Sequence, residues 1–230
     1  MQAKLILEQL EKGRNPVIAS YHEAVSRCQQ AGWAVKPLNE AQVAKLGTRR
    51  IELAVDAGHR LARSTEWNWS SPNEPHDALC QFEFVEKVRE DYTDERIIGY
   101  TSDEADAHWQ EAPADPSDLE VAITEVDYSA DQATGWQQET ASQVAGQACT
   151  WWRNSSGERV CMWTAGLSLG FAPNPSPLCV TEPAEAFLKG LPLGQEPANG
   201  TGCRITVESI NVGAPLSPAV LALKTRGGSP

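Results

Sequence analysis

Hydrophobic residues in the first 65 positions recur at spacings typical of short helices. Residues 5–10 carry an apolar stripe that stops at Gly13, and glycine is common just after the last turn of a helix. Asn15 and Pro16 predict the start of a second helix, because asparagine is a good N-cap and proline suits the first turn. Apolar residues follow at helical spacing as far as Cys28, and Gly32 marks the predicted end.

Two further helix starts are predicted in the same region. Asn39 with Gln42 three residues later has the spacing of a capping box. Thr48 precedes apolar residues that continue to Leu61, which predicts a last helix with the basic residues near 49–50 and 60–63 on its solvated face. We therefore expect residues 1–70 to form a helical segment of short helices around one apolar seam.

The periodicity changes from near 3.6 to 2 after a predicted loop over residues 66–77, which is rich in Pro, Asn and Ser. Cys80, Phe82 and Phe84 alternate with polar residues, as in a strand with one solvated face. Further strands are predicted over residues 96–101, 119–128 and 203–212, an acidic loop over 101–118, and loops rich in Pro and Gly over 172–202. The predicted fold class is α+β: N-terminal short helices, then a mainly antiparallel β domain over residues 71–230, either sandwich-like or a single twisted sheet.

A hairpin is the sharpest local prediction. Residues 144–153 and 158–169 flank a turn that ends at Gly157, where glycine suits the left-handed position of a three-residue loop. The turn sets a register in which paired positions sum to 312, so Trp151 faces Cys161 and Cys149 is diagonal to Cys161. Diagonal neighbours are about 7–8 Å apart, too far for a disulfide, so the turn argues against a Cys149–Cys161 bond.

The six cysteines are too sparse for a small disulfide scaffold, and no CxxC pair is present. Free buried thiols are the expected state, and two or three structural disulfides are the alternative. Three Asn-x-Ser/Thr sequons, at Asn68, Asn154 and Asn199, leave a glycosylated secreted chain open.

Negative charge is concentrated in the middle of the chain. Residues 71–140 hold nineteen Asp and Glu against three Lys and Arg, a net charge of −16, whereas the whole chain carries −12. A field of one sign repels nucleic acid and anionic membranes and attracts basic protein surfaces or cations. We therefore predict a protein partner with a basic surface, or further copies of the chain, and no nucleic acid.

No catalytic or cofactor motif is found. Gln147-Ala148-Cys149 matches the start of the caspase nucleophile signature, and His108 lies 41 residues upstream, but the chain continues with Thr150-Trp151 instead of the glycine that the signature needs. The four histidines lack metal-ligand spacing, and the acidic loop lacks the ligand pattern of an EF-hand. We therefore predict a protein that is not an enzyme and that has no cofactor and no metal site.

The eight tryptophans and the acidic loop supply the candidate binding residues. Because strand faces alternate, Trp152 is expected to point opposite to Trp151 and Trp163, which places at least one of the three near solvent or an interface. Exposed aromatic rings anchor protein partners or stack on sugars. The predicted partner-binding residues are Asp103, Glu104, Asp106, Glu111, Asp115, Trp109 and Trp152.

Three functions are compatible with these features. The first is a non-catalytic structural or interaction component of a larger assembly, such as a phage particle or a secretion-type complex. The second is an acidic inhibitor of the immunity-protein kind, which would bind a basic partner through residues 83–125. The third is an exported, disulfide-containing domain that binds a ligand such as carbohydrate. No apolar run is long enough to span a membrane, and no signal-peptide pattern is present, which favours a cytoplasmic or virion protein unless a signal has been removed.

Overall fold

The computed structural model describes residues 1–71, 78–101, 108–115, 135–163, 165 and 191–224 of the 230-residue chain. Within these residues the fold is mostly β. Eleven strands form one large antiparallel sheet with the order β8-β7-β6-β4-β3-β1-β13-β12-β11-β10-β9. These strands are β1 (Gln2–Leu10), β3 (Thr48–Val55), β4 (His59–Ser70), β6 (Glu83–Asp94), β7 (Ile97–Thr101), β8 (Trp109–Pro113), β9 (Gln137–Val144), β10 (Gln147–Arg153), β11 (Arg159–Trp163), β12 (Leu191–Glu196) and β13 (Gly202–Asn211).

The helices form a small layer on this sheet. Helix α1 (Pro16–Gln30) starts with proline in its first turn, and the Asn15 side chain accepts hydrogen bonds from the first backbone N–H groups. Helix α2 (Glu40–Val43) begins with the capping box of Asn39 and Gln42. Both helix starts confirm the prediction. Two short parallel strands, β2 (Ala34–Lys36) and β5 (Leu79–Gln81), complete the layer, and the Cys28–Cys80 disulfide ties α1 to β5.

The other helices predicted in the first 70 residues are wrong. Residues 5–10 lie in β1 and residues 48–61 lie in β3 and β4, so the sheet takes strands from both sides of the predicted boundary at residue 70. The physical reason is that a short apolar run such as Leu5-Ile6-Leu7 fits either period, and long-range pairing decides between them. Strand β1 pairs with β3 on one side and with β13 on the other, which satisfies its backbone along its whole length.

Two of the predicted strands are confirmed. Strand β7 confirms the strand over residues 96–101, and β13 confirms the one over 203–212. Strand β8 lies within the predicted acidic loop and β12 within the predicted Pro/Gly-rich region, whereas residues 119–128 lie outside the described part of the chain.

The hairpin register is confirmed, but the conclusion drawn for its cysteines is wrong. Thr150 pairs with Met162 and Trp151 with Cys161, and both pairs sum to 312. Cys149 and Cys161 nevertheless form a disulfide, with their Cα atoms 5.5 Å apart. Each strand carries a register shift at this point, β10 against β9 and β11 against β12. We attribute the short Cα–Cα distance between these two diagonal positions to the register shifts, because a bulge bends and twists its strand locally.

The main core lies against one face of the central strands, here called the lower face. This cluster joins alternate residues of β13, β1 and β3 with residues of β10, β11 and β12, and Leu5, Cys161 and Cys203 in it are fully buried. A second, smaller cluster lies on the opposite side of β10 and β11, where Trp136 and Trp152 pack with Val160 and Met162. The opposite face of strands β13, β1, β3, β4 and β6, here called the upper face, carries the candidate functional site.

Candidate functional site

The upper face is covered at both ends and open between them. At one end α1 packs on β4 and β6, where the Tyr21 ring meets the edge of the Trp69 ring with centroids 6.0 Å apart. At the other end the segment of residues 214–224, here called the strap, lies on the same two strands. It contains the short helix α3 (Pro218–Leu221). The strip between the two covers is lined by side chains of β1, β3 and β13.

This open strip, here called the charged strip, alternates acidic and basic groups. Its members are Ile6, Glu8, Arg50, Arg204, Thr206 and Glu208, and five of them line a shallow groove of about 420 Å³. Arg204 forms an ion pair with Glu8, whose other oxygen accepts a hydrogen bond from Asn15 Nδ2 at 3.1 Å. Arg50 Nη2 lies 3.2 Å from Glu208 Oε1. The charges therefore neutralise one another in pairs, between the neighbouring strands β1 and β13 and, across β1, between β3 and β13.

Trp67 forms the floor between the charged strip and the helices. Its ring is 5 % exposed, with the guanidinium of Arg50 5.4 Å and the ammonium of Lys45 5.3 Å from its centroid. Its Nε1 donates a hydrogen bond to Glu86 Oε2 at 2.7 Å. Cations over an indole face are attracted by its negative quadrupole, so Trp67 is held as a buried platform rather than presented to a ligand.

The strap covers a different group of side chains, here called the strap site: Ala54, Leu61, Arg63, Glu90 and Tyr92. Leu216, Val220, Leu221 and Leu223 of the strap pack on its apolar members. Its two charged members contact the strap backbone. Arg63 Nη2 donates a hydrogen bond to the Ala222 carbonyl at 2.6 Å, and Glu90 Oε2 accepts one from the Lys224 N–H at 2.8 Å. The Glu90 side chain is fully buried.

A row of ion pairs across four strands fixes the two charged members of the strap site. Lys4 Nζ lies 3.2 Å from Glu52 Oε1, Glu52 Oε2 lies 3.4 Å from Arg63 Nη1, and Arg63 Nε lies 2.6 Å from Glu90 Oε1. Burial raises the pKa of the Glu52 carboxyl, but the hydrogen bonds and charges of Lys4 and Arg63 outweigh it and lower that pKa below the usual 4.5. Glu52 is therefore ionised at neutral pH and works as a structural anion.

A pH titration of stability should reveal the Glu52 contribution. Because the folded-state pKa is lowered, the stabilisation is present above pH 4.5 and is lost as the pH falls through the folded value. We expect the Glu52→Gln variant to lose less unfolding free energy than the parent between pH 5 and pH 3, measured by urea unfolding. Equal losses in the two proteins would show that Glu52 is not a stabilising anion. The Glu23→Gln variant, on the exposed surface of α1, serves as the control.

The structure separates the predicted partner-binding residues. Asp103, Glu104 and Asp106 lie outside the described residues. Glu111 and Asp115 are exposed in β8 and just after it. Trp109 is half-buried beside the strap, donates a hydrogen bond to Glu111 and covers Gly99, where a Cβ atom would come within 2.0 Å of its ring. Trp152 is 1 % exposed and packs in the cluster around Trp136. Whether any of these residues binds a partner stays a prediction.

None of the eight tryptophans, all of which lie in the described part of the chain, is fully exposed. Trp152 and Trp163 are on opposite sides of the hairpin, as predicted, and both are buried. Trp151 is the partly exposed member of the three, and the guanidinium of Arg159 lies 4.7 Å from its ring centroid. The tryptophans therefore mainly build cores, and their number does not indicate a stacking surface for sugars.

The five cysteines in the described part of the chain are oxidised, contrary to the expected free thiols. Cys28 bonds to Cys80, Cys149 bonds to Cys161, and Cys203 is also disulfide-bonded. Cys149 consequently offers no thiolate that could attack a substrate. Among the described residues no group of three or more His, Cys, Asp or Glu is placed to hold a metal ion.

Two residues at the centre of this arrangement, Arg63 and Glu90, were missed by sequence reasoning. Arg63 had been assigned to the solvated face of a helix, and Glu90 was counted only as part of the acidic region. One signal was available in the sequence. Arg63 is separated from the apolar residues Leu61 and Trp67 by even numbers of residues, so in a strand all three side chains lie on the same, buried face.

No helix in the described part of the chain is long and apolar enough to cross a membrane. The chain matches no known family model, no curated protein and no solved structure.

Proposed function

We propose that this protein is a non-catalytic interaction component of a larger assembly, and that the charged strip is its contact surface. The shape and chemistry of that strip support this proposal. Its groove is shallow and is lined by four charged or polar side chains and Ile6, on the two adjacent strands β1 and β13. Small-molecule sites are enclosed and mainly apolar, whereas protein interfaces accept broad surfaces with a polar rim.

The state of the ionisable groups supports a non-catalytic role. Hydrogen bonds from Arg159, together with the charges of Arg153 and Arg159, lower the pKa of the Glu139 carboxyl. The pKa of Glu52 is lowered as well. A catalytic acid or base needs a pKa near the working pH, so carboxyl pKa values shifted away from neutrality favour structural ion pairs.

A second candidate function, an exported ligand-binding domain, is favoured by one observation. All described cysteines are disulfide-bonded, and structural disulfides persist in oxidising compartments. Alkylation of denatured protein from its native source, followed by mass determination, tests this candidate. Six alkylated thiols would exclude it. The acidic-inhibitor function keeps the status of a prediction, because six of the fourteen Asp and Glu in residues 83–125 lie outside the described residues.

The interaction function is tested by a matched pair of substitutions. Thr206 and Thr140 are both exposed strand residues, but Thr206 lies in the charged strip and Thr140 on β9. We expect Thr206→Arg to release the protein from its native complex, because a long cation would occupy the groove, whereas Thr140→Arg stays bound. Native mass determination of the complex isolated from its source is the measurement.

Two outcomes would contradict the proposal. The first is a parent protein that is a monodisperse monomer with no bound partner in the native source. The second is a complex that survives Thr206→Arg unchanged, which would place the contact surface elsewhere. Circular dichroism of both variants verifies that neither substitution unfolds the sheet.

A further inference from the structure

The strap is held by hydrogen bonds to its backbone and by its apolar side chains. Arg63 and Glu90 contact the carbonyl of Ala222 and the N–H of Lys224, so they place one donor and one acceptor two residues apart along an extended segment. The apolar contacts of the strap come from four side chains that are each only partly buried. A segment held in this way is bound as a peptide ligand is bound, by a receptor surface on the sheet.

The receptor side is organised without the strap. Arg63 is held by Glu90 through Nε and by Glu52 through Nη1, which leaves Nη2 directed at the strap. The Glu90 backbone N–H donates to Thr101 Oγ1 at 3.0 Å, which fixes β6 against β7 at this position. Because these contacts lie within the sheet, the strap site keeps its donor and acceptor in place when the strap leaves.

The connection between β13 and the strap has the features of a hinge. Residues 211–215, from the last residue of β13 to the first two residues of the strap, are all exposed. Gly213 adopts a φ of +81° with open space around it, so this one residue makes the turn that folds the strap back onto its own sheet. Five residues span about 17 Å when fully extended.

We propose that the strap site binds the strap of a second copy of this chain, so that two copies exchange straps and form a dimer. Each contact made within one chain can be made between two, because the segment and its receptor are the same in both copies. Exchange needs only the opening of the hinge at Gly213. The inference rests on the proposed interaction function and names its partner as a further copy of the chain.

Two substitutions at the hinge test the exchange on the full-length protein. Gly213→Pro forbids the positive φ and should drive the strap into the other copy, because proline fixes φ near −65°. Gly213→Asn tolerates the turn, because asparagine adopts positive φ more readily than most residues, and should dimerise to the same extent as the parent. Sedimentation equilibrium over a hundredfold range of concentration measures the dimer, and hydrogen exchange of residues 216–224 reports whether the strap is docked.

A second pair of substitutions shows whether the dimer uses the strap site. In the Gly213→Pro background, Lys224→Pro removes the N–H that Glu90 accepts, and Lys224→Ala retains it. We expect Lys224→Pro to weaken the dimer about 10- to 100-fold, the loss of one hydrogen bond to a charged group, and Lys224→Ala to leave it unchanged.

The outcomes are distinguishable. A Gly213→Pro dimer with protected strap amides that weakens with Lys224→Pro supports the exchange. A Gly213→Pro monomer overturns it, whether the strap amides are protected or exposed. A dimer that resists Lys224→Pro also overturns the exchange but leaves self-association, and with it the proposed interaction function, intact. Loss of the native complex in Thr206→Arg concerns the charged strip and does not bear on the strap.

Discussion

Replacement of Arg63 by methionine is expected to lower the free energy of unfolding by about 3–5 kcal/mol. Methionine fills a similar length but leaves the Glu90 carboxylate buried without the guanidinium 2.6 Å away. It also removes the donor to the Ala222 carbonyl, so one end of the strap loses its hydrogen bond. Urea unfolding followed by circular dichroism gives the free energy directly.

The double variant Arg63→Met, Glu90→Leu separates the two causes of this loss. Removing both charges eliminates the buried carboxylate that has lost its guanidinium, and buried ion pairs replaced by apolar residues are often neutral in stability. We expect the double variant to regain most of the loss of the single one. An Arg63→Met protein within 1 kcal/mol of the parent would contradict the view that Glu90 depends on this partner. Arg27→Met, on the exposed side of α1, is the control for the loss of a surface arginine.

Removal of the disulfides is expected to have the other large effect. The Cys28–Cys80 bond joins residues 52 apart, and the Cys149–Cys161 bond joins residues 12 apart. Loss of loop-closure entropy in the unfolded chain predicts a stabilisation of about 4 kcal/mol for the first bond and about 3 kcal/mol for the second. We therefore expect the Cys28→Ser, Cys80→Ser variant to be the less stable of the two double variants, as measured by urea unfolding without reductant.

The location of each bond sharpens the comparison. The Cys28–Cys80 bond joins α1 to β5 within the small layer of helices and short strands, whereas the Cys149–Cys161 bond lies between strands that already pair. Native-state hydrogen exchange should therefore show faster exchange across α1 in the first double variant. Equal protection of α1 in both double variants would show that packing alone holds this layer.

The local signals in the sequence were reliable where the cause of the structure is local. Asn15 and Pro16 start a helix because cap and first turn are adjacent in the chain, and the turn at Gly157 sets the hairpin register. The prediction of a helix over residues 5–10 was wrong for the opposite reason. The sequence of β1 fits two periods, and its partners Thr48–Val55 and Gly202–Asn211 are far away in the chain.

The strap site shows a second limit of sequence reasoning. Glu90 and Lys224 are 134 residues apart, and their contact involves a backbone N–H, which carries no mark in the sequence. The strap itself contains two prolines and no long period, so it offered no element to predict. The prediction that Cys149 and Cys161 are not bonded was wrong for a related reason. It assumed ideal strand spacing, which does not include the bulges that bring the two residues together.

The central position of β1 affects how the chain folds while it is synthesised on the ribosome. Its partner β13 is made about 200 residues later, so half of the backbone groups of β1 stay unpaired until those residues have been synthesised. Folding that depends on such distant pairing is slow, and an unpaired strand edge is prone to aggregate while it waits. We expect nascent chains that end before residue 202 to need a chaperone to remain unaggregated.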